Sequence, residues 1–150
     1  MNRRSVCISF LAAPMSVVAA PVSWAAVLPP VTAYRNPGCG CCEKWAEHLT
    51  QAGFAVTMVD DPTLDARRAK LGVPANLAGC HTAMMGEYII EGHVPPEDIL
   101  GLLDASPRAR GLAVAGMPSG SAGMEMGGAS DKYDVMLFMA DGTSRLYASH

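Results

Sequence analysis

The sequence has no excess of positive charge, no internal repeat and no second long apolar run. Its 11 lysines and arginines are outnumbered by 14 acidic residues, which gives a net charge of −3. Phosphate backbones are bound through clustered Lys and Arg, so this balance argues against nucleic acid as a partner. Beyond the N-terminal segment no apolar run approaches the roughly 20 residues of a membrane-spanning helix. We therefore expect a soluble mature chain without a membrane partner.

The first 25 residues have the layout of a secretory signal peptide. Arg3-Arg4 precedes an uncharged apolar run over Val6–Val18, and the small-x-small pattern Ser23-Trp24-Ala25 follows. This pattern predicts cleavage after residue 25, export to the periplasm and one mature domain over residues 26–150. An uncleaved anchor is the alternative, which prolines within the segment disfavour. The arginine pair leaves both the general secretory and the twin-arginine export routes open.

Hydrophobic periodicity and turn residues predict an α/β domain. The predicted elements are a strand at 31–35, a helix at 43–52, a strand at 54–59, a helix at 64–71, a hairpin at 82–85 and 87–90, a helix at 95–103, a glycine-rich loop at 111–129, and a last hairpin at 134–139 and 144–148. The first β-α-β unit implies a parallel pair of strands. The order β-α-β-α-β-β-α, with a cysteine motif before the first helix, is typical of a thioredoxin-like fold. We predict that fold with an added C-terminal loop and β-hairpin.

Three of the four cysteines of the predicted mature chain fall within four residues. Cys39, Cys41 and Cys42 lie between the first strand and the first helix, and Cys39 and Cys42 have C-x-x-C spacing. The positive end of the helix dipole and unpaired backbone N–H groups favour the thiolate form there. Thiolate both attacks disulfides and binds metal ions, so the local pattern fits either chemistry.

Cys80 and His81 directly precede the third predicted strand. In a thioredoxin-like order this return of the chain packs against the C-x-x-C turn, so a fourth sulfur and an imidazole are expected beside the first three. That donor set favours a soft metal ion. Zinc is the runner-up, because Cys₄ or Cys₃His suits it equally well. The alternative without metal is two disulfides, Cys39–Cys42 and Cys41–Cys80.

Methionine favours copper over zinc. Met117, Met124 and Met126 lie in the glycine-rich loop, and a thioether is a poor zinc ligand but a good ligand for Cu(I). Loop methionines cannot all be core residues, so Met117 and Met124 are candidate metal ligands. Strand methionines such as Met84 are assigned to the core. His93, which follows the fourth strand, is a further candidate ligand.

The combined motifs resemble a family of exported bacterial proteins, the CopG-like copper-resistance proteins. The matching stretches are Tyr34–Trp45 (YRNPGCGCCEKW), Gly79–Thr82 (GCHT), Tyr88–Pro95 (YIIEGHVP), Gly111–Glu125 (GLAVAGMPSGSAGME) and the final YDVMLFMADG. The resemblance implies a periplasmic thioredoxin-like domain that binds copper through Cys39, Cys41, Cys42, Cys80 and His81, with a multi-copper cluster as one arrangement. Periplasmic copper carriers and efflux components are the partners that it suggests.

Three functions remain open at this point. The first is a copper-binding resistance protein that sequesters or redox-buffers copper, and we favour it. The second is an enzyme, a periplasmic thiol–disulfide oxidoreductase using Cys39 and Cys42, although two additional thiols would interfere with a simple dithiol cycle. The third is a small adaptor domain with two disulfides and no metal. The sequence thus favours a binding protein over an enzyme.

Overall fold

A computed structural model describes residues 27–150 and has the predicted α/β class; the predicted signal peptide, residues 1–25, lies outside the described residues. The strands within this range are β1 (Val31–Arg35), β2 (Val56–Asp60), β3 (His81–Met85), β4 (Tyr88–Glu91), β5 (Gly111–Ala113), β6 (Asp134–Phe138) and β7 (Ser144–Ser149). The helices are α1 (Gly40–Gln51), α2 (Leu64–Lys70) and α3 (Pro96–Ala105), with a 3₁₀ turn at Ala75–Leu77. None of the helices in this part of the chain has both the length and the apolar character to cross a membrane.

All seven described strands form one sheet in the order β2-β1-β3-β4-β5-β6-β7. β1 and β2 are parallel, as the first β-α-β unit predicts, whereas β3 pairs antiparallel with both β1 and β4. β5 is parallel to β4 and antiparallel to β6, and β6 and β7 form the final hairpin. The order of elements through α3 is the predicted one. The antiparallel pairing of β1 and β3 places the start of β3 beside the end of β1.

One part of the loop prediction is wrong, because the segment that begins at Gly111 starts with a strand. β5 is fully buried and connects the final hairpin to the rest of the sheet. Gly111 is required there, because a Cβ atom would lie 1.7 Å from the carbonyl oxygen of Ile89. Three residues without alternating polarity carry too little local signal for a strand prediction.

Helix α1 begins three residues earlier than predicted, and this positions the cysteine motif. Its start at Gly40 places Cys41 and Cys42 in the first helical turn. Trp45 and Leu49 lie on the same face and are fully buried in the main core. Burial of such large side chains contributes roughly 1.5–3 kcal/mol each, so the core fixes the helix end that carries the thiols.

Candidate metal centre

Three sulfurs are grouped by the turn that leads from β1 into α1. Gly38 has a φ of 80° in this turn, a conformation that glycine adopts without a Cβ penalty. Cys39 then occupies the N-cap position, and Cys41 and Cys42 follow within the helix. The Cys42 side chain is fully buried, whereas Cys39 and Cys41 are partly accessible. The turn therefore concentrates three sulfurs at the N-terminal end of α1.

Cys80 supplies the fourth sulfur. It directly precedes β3, whose antiparallel pairing with β1 brings it to the cysteine turn. The Sγ atom of Cys80 is 3.0 Å from that of Cys39 and 3.3 Å from those of Cys41 and Cys42. The Sγ atoms of Cys39 and Cys41 are 3.5 Å apart. The structure therefore brings the four predicted sulfurs into one pocket.

Cys39 and Cys42 form a disulfide, while Cys41 and Cys80 are free thiols. One bond of the two-disulfide alternative is thus present. The other is not, because the Sγ atoms of Cys41 and Cys80 are in contact at 3.3 Å without a covalent bond. Addition of two electrons and two protons would convert the pocket to four thiols. The Cys39–Cys42 pair can therefore act as a dithiol–disulfide redox couple. In its reduced form the pocket is a sulfur-rich metal site.

The Cys80 thiol is held in its protonated form at neutral pH. Burial, together with the hydrogen bond to Cys41, raises the pKa of Cys80 to about 12, although the positive charge of Arg68 acts in the opposite direction. A bound cation stabilises a thiolate directly and displaces its proton. This pocket therefore favours Cys80 thiolate only when a positive ion is present.

Two fully buried histidines adjoin the sulfurs. Neither ring nitrogen of His81 has a hydrogen-bond partner among residues 27–150, and the same holds for Nε2 of His93. The Nδ1 atom of His93 lies 2.8 Å from the carbonyl oxygen of Ala122, so Nδ1 must carry the proton and Nε2 offers a lone pair. One nitrogen from each ring and the Cys80 sulfur lie within 4.8 Å of one another.

Both imidazoles are in the form that binds metals. Burial lowers the pKa of His81 well below its usual value, and the neighbouring His93 lowers it further. Burial also lowers the pKa of His93. The rings of His81 and His93 form a T-shaped pair with centroids 5.1 Å apart. The ring centroids of Trp45 and His81 are 4.1 Å apart. An unsatisfied buried polar group costs about 1–3 kcal/mol, and a metal ion bound to these nitrogens would remove that cost.

A buried charged network lies beneath Cys80, and the sequence did not reveal it. The side chain of Glu91 in β4 is completely buried. Its carboxylate accepts hydrogen bonds from the Gly79 N–H at 2.7 Å, from Arg68 Nε at 2.7 Å and from the Thr82 hydroxyl. Arg68 also donates to the Gly79 carbonyl at 3.0 Å. The network therefore holds Gly79 through its backbone and Thr82 through its side chain, on either side of the Cys80-His81 pair.

The glycine-rich loop is fixed against α1 at Gly123. This residue has a φ of 85°, and a Cβ atom there would lie 2.6 Å from the Trp45 nitrogen and 2.8 Å from the Cys41 carbonyl oxygen. Only glycine permits this approach without a shift of backbone. The next turn is held by a 2.9 Å contact between the Nε2 atom of His48 and a carboxylate oxygen of Glu125. The loop therefore passes directly over the cysteine end of the helix.

The loop and α1 enclose a groove of about 610 Å³ in which all three loop methionines and Cys41 are found. Met117 is 56 % exposed and Met126 is 74 % exposed, whereas Met124 is partly buried. The structure thus brings the predicted ligands Met117 and Met124 to the side of the site that carries Cys41. Met84, which was assigned to the core, is instead 36 % exposed.

The chain is similar to proteins of one family. A family model described as "Protein of unknown function, DUF411" matches residues 77–124, a range that contains Cys80, His81 and His93. The solved structure "Copper resistance protein copG- Form 1" is 38 % identical, with 82 % of this chain and 98 % of that chain covered and a TM-score of 0.77. "Copper resistance protein copG- Form 2" is 37 % identical with the same coverage and a TM-score of 0.78. No curated protein matches the chain.

Proposed function

The chain belongs to the CopG-like family of copper-resistance proteins, and we propose that it is a periplasmic copper-binding protein with a thioredoxin-like fold. Export by the predicted signal peptide would place the protein in the periplasm. There it would sequester or redox-buffer copper before the ion passes to carriers or efflux components. The observation that carries the proposal is the position of Cys80, whose sulfur contacts all three sulfurs of the cysteine turn. Cell fractionation tests the compartment.

The donor set favours a soft ion, copper as Cu(I). Thiolates and thioethers select Cu(I) and disfavour hard cations. A Cys₄ or Cys₃His set also suits Zn²⁺, but the adjoining thioethers of Met117 and Met124 would add nothing to a zinc site. We therefore expect Cu(I) to displace Zn²⁺ from the reduced protein.

Cys80 belongs to two overlapping donor groups, and this supports the binding of several ions. The first group is the four cysteines, and the second is Cys80 with His81 and His93. A thiolate can bridge two metal ions, so one sulfur can serve both groups. The unpartnered nitrogens of the two buried imidazoles give the second group its donors. We propose His81 and His93 as ligands on this ground.

The disulfide suggests how redox buffering would proceed. Oxidation of the Cys39 and Cys42 thiolates to the disulfide releases two electrons, which two Cu(II) ions would accept to become two Cu(I) ions. The reverse step needs an external two-electron reductant such as a dithiol. Loss of two thiolates from the site weakens copper binding, so oxidation and copper release would be coupled.

An anaerobic titration of the reduced mature protein with Cu(I) tests the proposal. We expect more than one tightly bound equivalent, and fewer equivalents with lower affinity for Cys80→Ser. The matched control is Met84→Leu, which removes an exposed sulfur that does not line the groove and is expected to bind copper like the wild type. Less than one tightly bound equivalent in the wild type would exclude a copper-binding function.

A second candidate is a thiol–disulfide oxidoreductase. The disulfide at the start of α1 and the 3.0 Å contact between the Sγ atoms of Cys80 and Cys39 favour it, because thiol–disulfide exchange needs a second sulfur beside the disulfide. The raised pKa of Cys80 opposes it, because exchange proceeds through the thiolate. Insulin reduction by metal-free protein distinguishes the two functions. Rapid turnover without copper would favour the enzyme, and no turnover would favour the copper-binding protein.

A further inference from the structure

The exposed loop methionines occupy positions that core packing does not explain. Met117 and Met126 leave more than half of their side-chain surface in solvent and forgo the hydrophobic stabilisation that burial gives. They nevertheless line a groove with Met124, and Cys41 lies in the same groove. Three thioethers gathered beside one thiol point to a role in binding a soft cation.

The backbone holds these thioethers close to both halves of the sulfur pocket. Gly116, which precedes Met117, donates its N–H to the Ala78 carbonyl at 2.9 Å, two residues before Cys80. Gly123, which precedes Met124, packs against the Cys41 carbonyl. The groove therefore adjoins the cysteine pocket through fixed backbone contacts.

Thioethers differ from the thiols in ways that suit a first contact with copper. They bind Cu(I) and Ag(I) without losing a proton, and they form no disulfides, so they remain ligands while Cys39 and Cys42 are oxidised. Two carboxylates, those of Glu43 and Glu47, line the same groove with a single opposing cation, Lys44. Because Glu43 is also paired with Arg35, these charges nearly cancel, and the preference of the groove for a soft cation rests on its thioethers.

We propose that Met117, Met124 and Met126 form an outer capture site for Cu(I) and the chemically similar Ag(I), from which the ion passes to Cys41. The proposal rests on the copper-binding function above and adds an order of loading, thioethers before thiolates. It also assigns a ligand, Met126, outside the stretches that carry the family resemblance. Transfer to a thiolate is an exchange of ligands without electron transfer.

The first test isolates the thioethers by removing the free thiols. In Cys41→Ser/Cys80→Ser the Cys39–Cys42 disulfide remains, and residues 27–150 then contain no free thiol. Ag(I) is added to this variant labelled with ¹³C in the methionine methyl groups, in chloride-free buffer. We expect the three loop methyl signals to shift while the exposed Met84 signal stays unchanged. Equal shifts of Met84 and the loop methionines, or no loop shift, would overturn the proposal.

The second test measures loading of the wild-type pocket and does not depend on that variant. Reduced mature protein is mixed with a weak Cu(I) chelate, and the formation of the thiolate–copper absorbance is followed by stopped flow. Met117→Leu/Met126→Leu keeps similar side-chain volume at exposed positions. We expect its loading rate to fall below the wild-type rate, because two of the three thioethers that bind the ion first are lost. Met84→Leu should load at the wild-type rate.

The two proposals fail in different ways. If the wild type binds less than one equivalent of Cu(I), the proposed function fails. If it binds copper normally but the loop methyl signals do not respond and the double methionine variant loads at the wild-type rate, only the capture site is wrong.

Discussion

Removal of the buried carboxylate beneath Cys80 is expected to weaken both the fold and the copper site. In Glu91→Ala the guanidinium of Arg68, whose side chain is 10 % exposed, loses its buried partner. The Gly79 N–H and the Thr82 hydroxyl lose their acceptor as well. Arg68 keeps a contact with Asp65, but that carboxylate is 96 % exposed and compensates little.

The magnitude follows from the burial of this pair. Removing one partner of a buried ion pair costs about 3–5 kcal/mol, and the remaining contact with Asp65 favours the lower end of that range. A domain of this size has a total stability of roughly 5–15 kcal/mol, so the variant should fold with a melting temperature lower by roughly 10 °C. Glu91→Gln keeps the shape and an acceptor, and should lose less.

The assay is urea unfolding of the metal-free protein, paired with Cu(I) competition against a chelator. We expect Glu91→Ala to lose stability and copper affinity together. Gly79 and Thr82 would lose the hydrogen bonds that hold them on either side of Cys80 and His81. The control is Asp65→Asn, which alters an exposed contact with the same arginine and should change stability by less than about 1 kcal/mol. A Glu91→Ala protein with wild-type stability and wild-type copper affinity would refute the reasoning.

Two further variants test the loop and the effect of pH. Gly123 has a φ of 85° and lies against the backbone of α1, so Gly123→Ala should lose about 1–3 kcal/mol of stability in urea unfolding. The control is Gly128→Ala, which has open space around it and should keep the wild-type stability. Equal stability of the two variants would contradict the packing described. Hydrogen bonds from Thr63 and Arg67 lower the pKa of Asp61 from 3.8 to about 2. A lowered pKa stabilises the fold above pH 3.8, and this stability is lost as the pH falls towards 2. Asp61→Asn should flatten acid unfolding over that range; an unchanged profile would exclude this role.

The order of the elements was predictable because local chemistry marks it. The apolar spacing of Trp45 and Leu49 predicts the first helix, and Gly53, with a φ of 98°, lies just beyond its end, where glycine is the usual residue. Once that order is known, pairing of the third strand with the first brings Cys80 to the triplet. The predicted meeting of the four sulfurs therefore follows from topology and not from any one motif.

The remaining features depend on tertiary contacts that sequence patterns do not record. Glu91 ends an apolar strand, and nothing in its neighbours shows that Arg68, 23 residues earlier, will pair with it. The one available signal was an acid directly after the apolar run Tyr88-Ile89-Ile90. The β5 strand was missed for a related reason. Its three residues are a strand because they pair with β4, and that pairing leaves no mark in the local sequence. The loop methionines were identified, but their degree of exposure depends on how Gly123 packs.

Copper K-edge X-ray absorption of the anaerobically loaded mature protein tests the central claim most directly, since it reports which atoms surround the metal. The account predicts a first shell dominated by sulfur with a nitrogen contribution, and a loss of sulfur scattering in Cys80→Ser. A shell made only of nitrogen and oxygen, or a spectrum that Cys80→Ser leaves unchanged, would contradict it.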